Sequence, residues 1–138
     1  MTLLLDTNII LDIILVREPF FQDSSKIFEL IDGTIIKRCI TASSITDIYY
    51  IVKKNSGHSN AISFIESLII TVDPLNVNRD TITLALHSNF SDFEDAVQSA
   101  SAELNNVDFI ISRNTKDFTA GKIPAQTPTD FLKKHKNN

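Results

Sequence analysis

Short all-apolar runs along the chain alternate with longer stretches in which apolar residues recur every three or four positions. This is the pattern of strands separated by helices. Leu3 to Leu5 predicts a first strand, with Asp6, Thr7 and Asn8 in the turn at its end. Ile9 to Val16 predicts a short helix. Pro19 suits the start of a second, in which Phe20, Ile27, Phe28 and Ile31 fall on one side and which Gly33 ends. Ile35 to Thr41 reads as a second strand. Ser43 or Ser44 can cap the helix that follows, where Ile45, Ile48 and Val52 share a face and Asp47 falls in the first turn.

Asn55-Ser56-Gly57 is a break. Beyond it the pattern predicts a helix over Ser59 to Leu68 and a strand over Ile69 to Val72, ended by Asp73-Pro74. Asn78 can cap a helix carrying Ile82, Leu84, Ala85 and Leu86. Ser91 and Glu94 have the spacing of a capping box, ahead of a helix with Phe93, Val97, Ala100 and Leu104 on its apolar side. Asp92 and Asp95 then lie in its first turn. Val107 to Ile111 predicts another strand, with Ser112 to Asp117 as the loop beyond it. Ile123-Pro124 follows in the tail, and Pro128 opens a last short helix with Phe131 and Leu132.

Strands that are apolar throughout, and not alternating, are those buried on both faces. The expected fold is therefore α/β, three-layered, with a mostly parallel central sheet and right-handed crossovers. In such sheets ligands bind beyond the carboxyl ends of the strands. No internal repeat or separable linker interrupts the pattern, so residues 1–138 read as one domain.

Composition narrows this picture. With 43% hydrophobic residues among 138, the chain can bury one substantial core. Lys and Arg number 13 against 17 Asp and Glu, a formal charge of −4, so no broad basic field for nucleic-acid capture is present. Contact with RNA would have to be local and assisted by bound cations. Cys39 is the single cysteine, which excludes an internal disulfide and a Cys-rich zinc site. Three glycines, none in a phosphate-loop arrangement, remove the support for P-loop and dinucleotide folds. The opening apolar run is cut short by Asp6 and lacks a basic lead, and no run approaches the roughly 20 residues of a membrane span. A soluble cytoplasmic location without membrane contact is the expectation.

The candidate chemistry lies in acids at comparable places. Asp6 follows the first strand, Asp47 and Asp95 start helices, and Asp117 follows the late strand. In a doubly wound sheet these positions can meet at one crevice, and an all-oxygen cluster suits Mg²⁺ or Mn²⁺. Each acid also has a structural reading: Asp6 as a helix cap, Asp47, Asp92 and Asp95 as favourable charges at helix N-termini, Asp117 as a turn cap. Asp12 either faces solvent or borders the crevice. Arg17, Lys53, Lys54, Arg113 and Lys116 are candidate phosphate contacts, with surface solubility as the simpler account. His58, His87 and His135 have no shared-site spacing, and Lys133, Lys134 and Lys136 make a basic tail.

Four segments carry a more specific signal. Leu4-Leu5-Asp6-Thr7-Asn8-Ile9-Ile10-Leu11-Asp12, Thr41-Ala42-Ser43-Ser44-Ile45-Thr46-Asp47-Ile48, Phe93-Glu94-Asp95-Ala96-Val97-Gln98-Ser99-Ala100-Ser101-Ala102 and Phe109-Ile110-Ile111-Ser112-Arg113-Asn114-Thr115-Lys116-Asp117-Phe118 occur in that order. Together they resemble the PIN domain family, particularly the small bacterial toxins of the VapC class. The resemblance implies Asp6, Asp47 and Asp95 as the principal metal-site acids. It leaves the fourth position to Asn114 or Asp117, and makes Asn8 and Ser112 the polar groups that organise the pocket. Asp47 stands where the family frequently has Glu, a side chain one methylene longer.

The activity implied is hydrolysis of RNA phosphodiester bonds with one or two Mg²⁺ or Mn²⁺ ions. The partners implied are an RNA substrate, a small antitoxin protein and a second copy of the chain in a homodimer. Two other readings compete: a catalytically weak PIN-like module that binds RNA or protein, and an α/β phosphatase or hydrolase with Asp6 as nucleophile.

Overall fold

The computed structural model describes residues 1–29 and 36–135. Five parallel strands form the sheet: β1 (Thr2–Leu5), β2 (Lys37–Thr41), β3 (Asp73–Leu75), β4 (Phe109–Ile111) and β5 (Ala125–Gln126), in the order β3-β2-β1-β4-β5. The order reverses at β1, whose neighbours β2 and β4 pair with it on either side. Their ends flank a crevice of the kind in which such sheets bind ligands.

Successive residues of the central strands serve opposite faces, which explains the continuous apolar runs Leu3–Leu5 of β1 and Phe109–Ile111 of β4. Leu3, Leu5, Ile40 and Ile111 share one core with residues of α1 (Thr7–Ile14), α2 (Phe20–Glu29), α3 (Ala42–Ser56), α4 (His58–Thr71) and α7 (Pro128–His135). Leu4, Cys39 and Ile110 point the other way, into a second core with Ala102 of α6 (Phe93–Leu104) and Phe118. α5 (Arg79–Leu86) packs on α6 through Ala85, Ala96, Val97 and Ala100. The expected three-layer α/β arrangement is thus present, with the sheet in the middle.

Several boundaries differ from expectation for physical reasons. The stretch Ile69–Val72 belongs to α4 and its end, not to a strand: Ala61, Phe64, Leu68 and Val72 recur at helical spacing along one core, and this outweighs the strand preference of Ile69 and Ile70. Ile69 and Ile70 face outward. Asp73-Pro74 lies within β3; proline is tolerated there because β3 is an edge strand. β5, too short and too polar to stand out, was not expected. Gly57 does separate α3 from α4, at φ +90° and ψ 169°, backbone that glycine alone adopts without strain.

α2 starts at Phe20, with Pro19 in the turn before it. Thr41, not Ser43 or Ser44, is the N-cap of α3, so Asp47 falls in the second turn of that helix and not the first. The cap of α6 is Asp92, whose Oδ1 accepts the Asp95 N–H at 3.0 Å, in place of a Ser91–Glu94 box. Phe93 and Leu104 are exposed, whereas every residue from Ala96 to Ala102 is buried. Small side chains let this helix be enclosed nearly all round. Asn78 caps α5 as expected, in a reciprocal box with Thr81. Ile31, Gly33 and Ile35, with Lys136 of the basic tail, lie outside the described residues.

Candidate metal centre

β1 delivers Asp6 to the crevice, where it is the N-cap of α1. Its side chain makes no capping bond, contrary to the simplest structural reading of this residue. The carboxylate is 7% exposed and held from two sides: Oδ2 accepts the Ser112 hydroxyl at 2.8 Å, and Oδ1 accepts the Gln98 amide at 3.1 Å. Ser112, at the end of β4, also accepts the backbone N–H of Asn114 at 3.1 Å. One hydroxyl thus fastens the late loop to Asp6. The Thr7 hydroxyl donates to Ser44 at 2.9 Å, and Ser44 and Thr41 lie 2.7 Å apart. These buried hydroxyls join the starts of α1 and α3.

The crevice is an open cleft of about 500 Å³. Asp6, Asp47, Asp95, Asp117 and Asn114 all line it, although they are spread from the first strand to the last third of the chain. Asn8 lines it too. Asp92 and Glu94 add two further carboxylates, so six of its twelve lining residues are acids and none is basic. Glu94 reads in the sequence only as a capping-box partner of Ser91; its position one residue before Asp95, in the turn that opens a helix onto the crevice, is the signal for a site acid.

So much negative charge has a measurable consequence. Burial, then Asp92, Asp6, Asp117 and Glu94, push the Asp95 carboxyl up to about 7 from an ordinary 3.8. Glu94 is raised as well, by burial and then by Asp47, Asp6 and Asp92. The donor set therefore fits a hard divalent cation in kind: oxygens only, with excess negative charge that a cation would relieve. Among the described residues no three Asp, Glu, His or Cys side chains already form a closed ligand shell. Asp47 and Asp117 are exposed, so their side chains are free to turn toward an ion.

Asp12 neither faces solvent nor borders the cleft. It is fully buried on α1, with Arg113 Nε 2.9 Å from Oδ2 and Arg17 Nη1 3.7 Å from Oδ1. Each carboxylate oxygen thus faces a guanidinium, with Arg113 the closer of the two. Burial raises the Asp12 carboxyl above its ordinary range, and the two arginines offset part of that rise. Arg113 also lies over the Phe20 ring, 4.2 Å from its centroid. Arg17 and Arg113 are thus engaged inside the protein and are not unengaged phosphate contacts. His58 and His135 take part in ring contacts with Tyr49 and Phe131, and His87 Nδ1 lies 2.8 Å from the Thr83 carbonyl oxygen.

The chain is thus an α/β protein whose parallel sheet reverses at β1, with an acid-lined cleft at the strand ends. The sequence model of the PIN domain matches residues 2–116, and the chain belongs to the PIN domain family. Its fold is similar to VapBC-1 from nontypeable Haemophilus influenzae, with TM-score 0.70 and 18% identity over 94% of this chain and 99% of that one. A toxin–antitoxin complex from Klebsiella pneumoniae matches with TM-score 0.68 and 22% identity, over 91% of this chain and 96% of that one. Mycobacterium tuberculosis VapC20, a sarcin–ricin loop cleaving toxin, matches with TM-score 0.61 and 11% identity, over 78% and 86%. At these identities the likeness establishes the fold. No curated protein sequence matches the chain.

Proposed function

We propose that this PIN domain is a divalent-metal-dependent ribonuclease that hydrolyses RNA phosphodiester bonds, and the toxin of a toxin–antitoxin pair. The observation that carries the reading is the convergence of Asp6, Asp47, Asp95, Asp117 and Asn114 on one cleft from four separate segments. Asp6 and Asp95 are the direct ligands of Mg²⁺ or Mn²⁺, while Asp47 and Asp117 hold its waters or a second ion. Asn114 completes the fourth position without adding charge. When bound, the ion lowers the pKa of a water and offsets charge on the phosphate and the departing oxygen.

The chain's own groups supply the rest. Ser112 and Gln98 fix the Asp6 carboxylate, so that its orientation is set before a substrate arrives. Asp95, its carboxyl raised to about 7, is about half protonated at neutral pH without metal and would give up that proton to a bound cation. Tyr50 is 66% exposed at the rim and offers a ring on which a base can stack. The toxin assignment rests on the fold shared with toxin–antitoxin assemblies, and carries with it a small antitoxin and a homodimer as partners.

Incubation of the purified protein with a mixed RNA pool, with and without Mn²⁺, tests this. Cleavage should require the ion and disappear in Asp6→Asn and Asp95→Asn while both variants keep the native circular dichroism spectrum. Full cleavage by both variants would contradict their roles. A catalytically weak binding module is the second reading, favoured by the lack of a closed ligand shell among the described acids. RNA retained intact on the protein would support it.

A further inference from the structure

Gln98 is a long polar side chain in the middle of the buried face of α6, between Val97 and Ser99 and 2% exposed. Helix faces of this kind are ordinarily filled by apolar residues, because a buried amide needs partners for both its ends. Here only one end has a partner. Nε2 donates to Asp6 Oδ1 at 3.1 Å across 92 residues of chain, and Oε1 is buried with no hydrogen bond. Rotating the amide by half a turn cannot repair this. An ionised carboxylate only accepts, so the NH₂ must face Asp6 and the carbonyl must face away. A lone buried acceptor is costly, and an apolar residue of the same length would remove that cost only by taking the donor from the buried Asp6 carboxylate.

We propose that Gln98 is a positioning residue for Asp6, retained with an unpartnered carbonyl because its amide sets the carboxylate for the cation. The inference rests on the metal-site reading above and deepens it. Gln98 follows Asp95 by three residues on α6, so the two lie on neighbouring faces of one helix. Its amide bond to Asp6 therefore ties the rotamer of one proposed ligand to the helix that carries the other. Ser112 holds the second oxygen at 2.8 Å, leaving the carboxylate plane fixed from both edges. Hydrogen-bond partners of metal ligands ordinarily contribute about 10- to 100-fold in affinity or activity.

The test compares wild type with Gln98→Met, which has similar length and no polar atom. Mn²⁺ affinity is measured by calorimetry, and melting is followed in chelator. The expected result is Mn²⁺ binding weakened at least about tenfold, while the metal-free melting temperature changes little, because loss of the donor to Asp6 and removal of the orphaned carbonyl offset each other. Unchanged affinity in a folded variant would overturn the proposal. So would a fall in affinity accompanied by a matching loss of metal-free stability, since Gln98 would then be an ordinary core residue. Gln98→Leu serves the same comparison if the thioether does not pack. A wild type that binds no Mn²⁺ would instead overturn the site reading and this inference together, and that result is read before any variant is made.

Discussion

At the scale of single residues, the chemistry depends on how six acids share one cleft. Asp95 bears most of the strain, and Asp92 is the neighbouring charge that contributes most to its rise. Asp92 also caps α6, so its charge and its hydrogen bond have separable effects. Asp92→Asn keeps a capping oxygen and removes the charge. The Asp95 carboxyl should then titrate clearly below 7 but still above 3.8, because burial remains. Carbon-detected NMR of the metal-free protein reads this directly, and an unmoved midpoint would contradict the account. The sign for stability follows. A carboxyl raised from 3.8 to about 7 holds a proton in the folded chain that the unfolded chain has already lost. Metal-free stability therefore falls as pH rises through that window. A divalent ion should accordingly raise the melting temperature more at pH 8 than at pH 6.

At the scale of elements, the buried Asp12 joins α1, the turn that carries Arg17 and the loop that carries Arg113, immediately before Asn114. Asp12→Ala leaves two arginines facing a cavity. It should cost about 2 kcal/mol, below the roughly 3–5 kcal/mol of a wholly buried pair, because both arginines keep part of their solvent. Urea unfolding measures this, and no shift in midpoint would show that the pair is dispensable. The elements also show what was legible in the chain. β1 and β4 stand out because strands buried on both faces are apolar throughout, whereas β2, which opens on Lys37 and Arg38, is legible only from Cys39 and Ile40. Asp6, Asn114 and Asp117 line the cleft because they follow β1 and β4. The end of α4 was misread because four β-branched residues, Ile69 to Val72, carry strand propensity while their burial follows a helix. Gln98 was passed over because its partner is 92 residues away, and no local pattern encodes that. Asp12 was misplaced for the same reason: Arg113, which follows the neighbouring strand β4, is far from it in the chain.

At the scale of the whole molecule, a chain of net charge −4 presents an acid-lined cleft with no basic residue in its wall. Without a cation, that cleft repels a phosphate backbone. With one, the local potential is reduced or reversed where the strands end. Specific binding of RNA and metal are therefore linked in this account, and the sheet order that brings β1 between β2 and β4 is what makes the linkage possible. Among the described residues no helix is long and apolar enough to cross a membrane. Exposed apolar residues lie on α3 and α4, Ile70 at 83% among them. The most direct test of the central claim is anomalous diffraction from a crystal soaked in Mn²⁺. The account predicts a peak coordinated by carboxylate oxygens of both Asp6 and Asp95. A fully soaked crystal with no peak in the cleft, or with an ion bound by neither residue, would contradict it.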